Sequence, residues 1–291
     1  MTGIQWTTET WNPTTGCDRI SEGCDNCYAL TMAKRLKAMG QAKYQNDGDP
    51  RTSGPGFGLT AHASALGVPL RWREPRRVFV NSMSDLGHAR VPAEFTARVW
   101  SVMARTPQHT YQILSKRPER IGAWVRRCAR HEMHVGYPGA PTGPDETCYH
   151  HPGEIVVGYR EWPLPNVHVG TSIELDRHSR RADDLRATPA AVRFLSLEPL
   201  LGPLPSLDLT GIDWAILGGE SGSGAREMDL AWVRDLIGRC RESGTAVFVK
   251  QLGSRWARGT GGDSHGGDMD LWPEDLRIRE FPRVTEMTGA A

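Results

Sequence analysis

Apolar residues recur along this chain in two alternating rhythms. Short runs dense in β-branched and aromatic residues occupy positions 77–81, 109–114, 167–171, 192–196, 214–218 and 246–250, and each has the length and make-up of a buried strand. Between them lie segments whose apolar positions recur at helical spacing. The first, 92–104, opens on a proline; the second is 118–127; the third, 230–241, is followed by Gly244 as a terminator. With a first strand near Cys17 and a helix over 28–39, about seven strand–helix units succeed one another. That order predicts an α/β fold with a mostly parallel sheet, an incomplete or distorted (β/α) barrel of the TIM type.

Three stretches break the rhythm. Residues 46–66 are rich in Gly, Pro, Ser and Asp and read as a loop insertion. Residues 128–158 carry cysteines and histidines among glycines and prolines, without core periodicity. Residues 259–270 are Gly- and Asp-rich, and 1–258 is expected to form one barrel-like domain and 259–291 a flexible C-terminal segment.

Composition narrows the function classes. Thirty-five Lys and Arg against 34 Asp and Glu give a net charge of +1, so no global field draws the protein to nucleic acid or anionic lipid, and such binding must be local. No run approaches the roughly 18 apolar residues of a membrane span. The first ten residues have neither the cationic nor the apolar part of a secretion signal, so the expected location is cytoplasmic. In a reducing compartment six cysteines point to metal binding or reactivity rather than to structural disulfides.

Cys17, Cys24 and Cys27 form a C-x6-C-x2-C loop directly ahead of the helix that begins at Tyr28. The x2 spacing lets two thiolates converge, and the six-residue arm, relieved by Gly23, brings in the third. Three thiolates without a nearby fourth ligand suit a [4Fe-4S] cluster that keeps one iron open, while a zinc site completed by a distant residue remains the alternative. A second candidate metal site lies in the insertion: Cys128, His131, His134, Cys148, His150 and His151 offer enough donors for structural zinc, though at no standard finger spacing, and the alternative is a solvated histidine-rich loop. Cys240 falls inside a helical pattern and reads as a buried apolar residue.

The loop, together with the blocks NSMSDL at 81–86, QILSKRPER at 112–120, RFLSLEPLLG at 193–202, GGESG at 218–222 and FVKQ at 248–251, resembles the phage Gp37/Gp68 family of three-cysteine proteins from about Trp6 to Gly253. That family in turn resembles radical S-adenosylmethionine (SAM) enzymes of the spore-photoproduct-lyase-like group, whose usual spacing is C-x3-C-x2-C. The resemblance implies a cluster on Cys17, Cys24 and Cys27 and SAM as cofactor, cleaved to a 5′-deoxyadenosyl radical that attacks an unidentified substrate, by analogy a nucleobase or nucleic acid. Asn81, Ser82, Ser84 and Asp85 would then take the methionine end of SAM, with Asp85 on its amino group. Lys116 and Arg117 would hold its carboxylate or a substrate phosphate, and Ser172 and Glu174 would complete the cofactor site. Asp85 would otherwise be an N-cap and the two cations a solvated turn.

Polar residues just past the strands of a parallel barrel meet at one mouth. Glu198, Glu220 and Lys250 stand at such positions and are the candidate catalytic groups. Arg117, Arg120, Arg126, Arg127 and Arg130 make a local basic stripe that could contact nucleic acid. The resulting expectation is an iron–sulfur enzyme of the radical SAM type, served by an electron donor. Its rival is a non-enzymatic, zinc-stabilised module that binds nucleic acid or a protein.

Overall fold

The computed structural model describes residues 3–129 and 162–283. Strands β1 (Glu9–Trp11), β4 (Arg77–Val80), β5 (Thr110–Ser115), β6 (Val167–Ser172), β7 (Val192–Leu197), β8 (Trp214–Gly218) and β9 (Ala246–Gln251) form one seven-stranded sheet in that order. Every pairing in it is parallel. A small antiparallel ladder joins β2 (Thr14–Thr15) to β3 (Thr60–Ala61), so part of the expected 46–66 insertion pairs with the segment leading into the cysteine loop.

The sheet curls. Trp6 lies with its ring centroid 4.7 Å from Phe79 on β4 and 6.2 Å from Trp214 on β8. Those strands are four spacings apart, about 19 Å in a flat sheet. One indole can touch both only if the strands bend around it. Phe194 and Phe248 join Trp6, Phe79 and Trp214 on this concave face. Alternation of side chains sends Val78, Val80, Tyr111, Ile113, Val169, Leu195, Leu217 and Val249 to the convex face, where the larger core forms.

Helices α2 (Ala93–Ala104), α3 (Pro118–Ala129), α4 (Arg181–Arg186) and α5 (Leu230–Ser243) follow strands β4, β5, β6 and β8, and apolar residues of all four join that outer core. The Asp229 carboxylate accepts from the Ala231 amide at 2.8 Å and caps α5, and Gly244, at φ 75°, ends it. Cys240 is buried in α5, as its pattern implied. After β7 no helix forms: Leu200, Leu204, Leu207 and Leu209 bury themselves from a proline-punctuated connection.

The described part of the segment after residue 258 packs on the barrel. Trp272 and Leu276 are buried in the outer core. Residues 278–280 run antiparallel to β9, with Val249 N–H donating to Ile278 O and Glu280 N–H to Val247 O, both at 2.8 Å. Two large apolar side chains and an unpaired strand edge recruit what composition alone reads as loop. The same strap occupies the β9 edge on which a closing strand would pair, so the barrel stays open.

Gly170 shows how tightly the concave face is filled. A Cβ on it would come within 2.5 Å of the Phe194 ring. Gly170→Ala is therefore expected to cost about 1–3 kcal/mol, the range for overpacking, read as a lower midpoint in chemical denaturation with an unchanged slope.

Candidate functional site

The cysteine loop lies across the C-terminal ends of the strands and is pinned by residues from most of them. At its start, Gly16 at φ 86° packs against the Gly58 backbone, an approach that a side chain would block. Asn81 Oδ1 accepts from the Thr14 amide at 3.2 Å, Ser84 Oγ donates to Gly16 O at 2.7 Å, and Asn12 and Ser82 exchange side-chain hydrogen bonds. The turn over 81–84 thus binds the chain leading into Cys17 through the same side chains that the sequence offered to a cofactor. Asp18 accepts from Thr52 and Ser53 and from His88 and Arg90, with three of these bonds at 2.8 Å. Burial opposes its ionisation, but those hydrogen bonds and the Arg90 charge outweigh it and hold the carboxyl at about 2.

The middle of the loop sits on Glu174, which has no exposed surface. Its carboxylate accepts from Ser21 Oγ at 3.0 Å and Arg181 Nη1 at 3.0 Å, and pairs with Lys116. Gly23 approaches so closely that a Cβ would stand 2.5 Å from Glu174 Oε1. Its φ is not in the left-handed region, so the glycine is needed for this contact and not, as the sequence suggested, for backbone freedom. Toward the end of the loop, Asn26 donates to Glu220 Oε2 at 3.0 Å, and Arg226 bridges Glu220 and the Glu22 carbonyl.

Cys24 lies within electrostatic reach of both Cys17 and Cys27. Arg117 Nη1 stands 3.6 Å from Cys17 Sγ and 2.7 Å from Asp85 Oδ2. Burial, then the Asp85 charge, pushes the Cys17 thiol up to about 12. Burial likewise raises Cys27. Cys24 moves the other way: burial opposes ionisation, but the Lys116 charge and backbone hydrogen bonds at Ile20 and Ser21 prevail, and it becomes the readiest thiolate of the three. Among the described residues, no three His, Cys, Asp or Glu side chains are gathered as ligands for one metal ion.

Asp85 is fully committed. One oxygen accepts from Ser115 Oγ at 2.6 Å and the Gly87 amide at 2.8 Å, and the other from Arg117 and the Lys116 amide. Across the mouth, Lys250 Nζ lies 2.6 Å from Glu198 Oε1, which also accepts from Gln251. Ser172 and Ser196 are register partners on adjacent strands, and their hydroxyls make no hydrogen bond to another described residue. The helix α1 (Tyr28–Ala38) starts at the loop's end, and the Tyr28 hydroxyl donates to Ser82 O.

The structure therefore brings together Cys17, Cys24, Cys27, Asp85, Lys116, Arg117 and Glu174 as one cluster of side chains. Glu220 belongs to the scaffold of the loop, and Glu198 with Lys250 forms a separate pair. Of the basic stripe, Arg117 is in the site, Arg120 donates to Gly87 O and Arg126 to Ala187 O, Arg127 is exposed on α3, and Arg130 is outside the described residues. The candidate zinc ligands His131, His134, Cys148, His150 and His151, and the side chain of Cys128, also lie outside them. Asp18, Ser21, Asn26, Arg181 and Arg226 escaped the sequence reading. The partners named above stand 34 to 204 residues away, except for the Arg181–Glu174 and Arg226–Glu220 pairs, whose i, i+7 and i, i+6 spacings were the available local signal. No helix among the described residues is long and apolar enough to cross a membrane.

No curated protein matches the chain. Among solved structures it is similar to "Spore photoproduct lyase complexed with dinucleoside spore photoproduct", with 10% identity and a TM-score of 0.33 over 79% of this chain. The match takes in 60% of that protein, so the chain spans about three fifths of its neighbour's length. A family described as "Protein of unknown function (DUF5131)" matches residues 1–275, and the chain belongs to that family.

Proposed function

We propose that this protein is an iron–sulfur enzyme of the radical SAM type, with Cys17, Cys24 and Cys27 as the ligands of a [4Fe-4S] cluster. The observation that carries the reading is the set of three thiols, fixed by contacts from most of the sheet, with Arg117 donating toward Cys17 Sγ at 3.6 Å and Lys116 acting on the other two. Thiolates need positive neighbours when they are buried, and a cluster bound by three of them carries net negative charge. Cysteine thiols are the donor type that such a group takes.

A cluster so held would supply the electron for reductive cleavage of SAM, and the chain would supply binding, orientation and exclusion of water. Ser172 and Ser196 offer two free hydroxyls beside each other at the mouth. Glu198 and Lys250 place one carboxylate and one ammonium opposite the loop, a pair suited to the amino and carboxylate groups of an amino-acid moiety or to proton transfer with a substrate. The aromatic floor of Trp6, Phe79, Phe194 and Phe248 closes the concave face beneath them. Asp85 acts by holding Arg117 rather than by meeting the cofactor.

The test is anaerobic reconstitution with iron and sulfide, followed by electron paramagnetic resonance of the dithionite-reduced protein with and without SAM. A changed signal on adding SAM and slow release of 5′-deoxyadenosine are expected. A colourless protein that takes up zinc at Cys17, Cys24 and Cys27 instead would overturn the reading in favour of a metal-stabilised binding module.

A further inference from the structure

Helix α1 turns an apolar stripe to solvent. It packs inward through Ala29 and Ala33, and at about 3.6 residues per turn positions 28, 32, 35 and 39 line up on the opposite side. Tyr28, Met32 and Met39 are 53%, 41% and 59% exposed there, with Arg35 among them and Lys34 on the flank. The helix contains no acidic residue. Lys37 pairs with Asp47, whereas Lys34 and Arg35 have no ion-pair partner among the described residues. Exposed methionines beside unpaired cations suit a partner that is apolar at its centre and acidic at its edge.

A surface of that kind stands elsewhere on the same chain. The turn over 263–271 carries Asp263, Asp268 and Asp270, all exposed, and Leu271 is 42% exposed beside them. Asp263 accepts from the His265 amide at 2.7 Å and Asp268 from the Asp270 amide at 3.2 Å, while Arg277 is turned to the Asp270 and Trp272 carbonyls. None of the three carboxylates has an ion-pair partner among the described residues. Leu271 and Asp268 both border Gly262, so apolar and acidic groups share one surface.

We propose that the α1 stripe docks on the 263–271 turn of a second copy of this chain, with Lys34 and Arg35 against the carboxylates and Tyr28, Met32 and Met39 around Leu271. Among the described residues no ion pair joins the two surfaces within one chain, so both are left for another copy. A net charge of +1 sets up no long-range repulsion between copies. Because the two surfaces differ, the contact is heterologous, and each copy can give it at one surface and receive it at the other.

The experiment is sedimentation velocity of the full chain in reductant, which keeps disulfide exchange out, from roughly 5 to 500 μM, where weak interfaces register. The wild type is expected to associate as concentration rises, with an apparent Kd weakened about tenfold as NaCl goes from roughly 50 to 500 mM. Lys34→Glu/Arg35→Glu and Asp263→Lys/Asp270→Lys should each be monomeric alone, because each sets like charge against like. Mixed in equal amounts they should associate again, since the reversed stripe of one meets the reversed turn of the other. Met32→Ser should weaken wild-type association with circular dichroism unchanged. A wild type that stays monomeric throughout, or associates indifferently to salt, would overturn the proposal. So would association that survives either reversal, or two folded reversed proteins that stay apart when mixed, because the stripe would then not be met by this chain.

Discussion

Alanine in place of Cys24 is expected to leave a folded protein that retains no iron or sulfide after anaerobic reconstitution, and alanine at Cys17 or Cys27 should do the same. On the proposed assignment each removes one of three thiolate ligands. Folding survives because the loop is fixed through Asp18, Ser21, Asn26 and Gly23 rather than through the thiols. Cys240→Ala is the control: that side chain is buried in α5 on the convex side, so its loss should cost stability and leave iron untouched. Iron and sulfide assays beside circular dichroism separate the two outcomes, and full retention in Cys24→Ala would refute the ligand assignment.

Glu174→Ala is expected to be the most damaging single change in the scaffold. It would strand Lys116 and Arg181 against each other in the interior, where breaking a buried pair costs about 3–5 kcal/mol. The loss would also remove the acceptor of Ser21 and the surface on which Gly23 rests. Denaturant melting of the apo protein measures it directly, and the shift should appear in the midpoint with the slope unchanged. A loss below about 1 kcal/mol would mean that the two cations turn out to water and that the loop is held by its other contacts.

Elements whose signals are local were readable from the chain. Strand β4 was expected over 77–81 and runs over Arg77–Val80, because Asn81 turns to φ 63° to send its side chain toward Thr14. The end of α5 was visible in Gly244, and the parallel order in the alternation itself. What stayed hidden depends on distance. Trp272 and Leu276 look like isolated apolar residues in a polar tail until β9 presents an edge and the outer core a gap. The cysteine loop was conspicuous, but Glu174, Lys116 and Asp85 each read as a possible cap, salt bridge or cofactor contact. Only the fold shows that Lys116 pairs with Glu174 and that Asp85 is taken up by Ser115 and Arg117, and the glycine beside Cys24 acquires its reason only when Glu174 arrives beneath it.

The long reach of the loop's contacts also orders events during synthesis. Asn26 waits for Glu220, 194 residues downstream, and the Glu22 carbonyl waits for Arg226, 204 residues downstream. At roughly 5–20 residues per second, a ribosome needs about 10–40 s to deliver those partners after the loop has emerged. Throughout that interval the three thiols belong to a nascent chain without their final scaffold, open to oxidants and to stray metal ions. The finished site is thus a late product of translation built from its earliest residues.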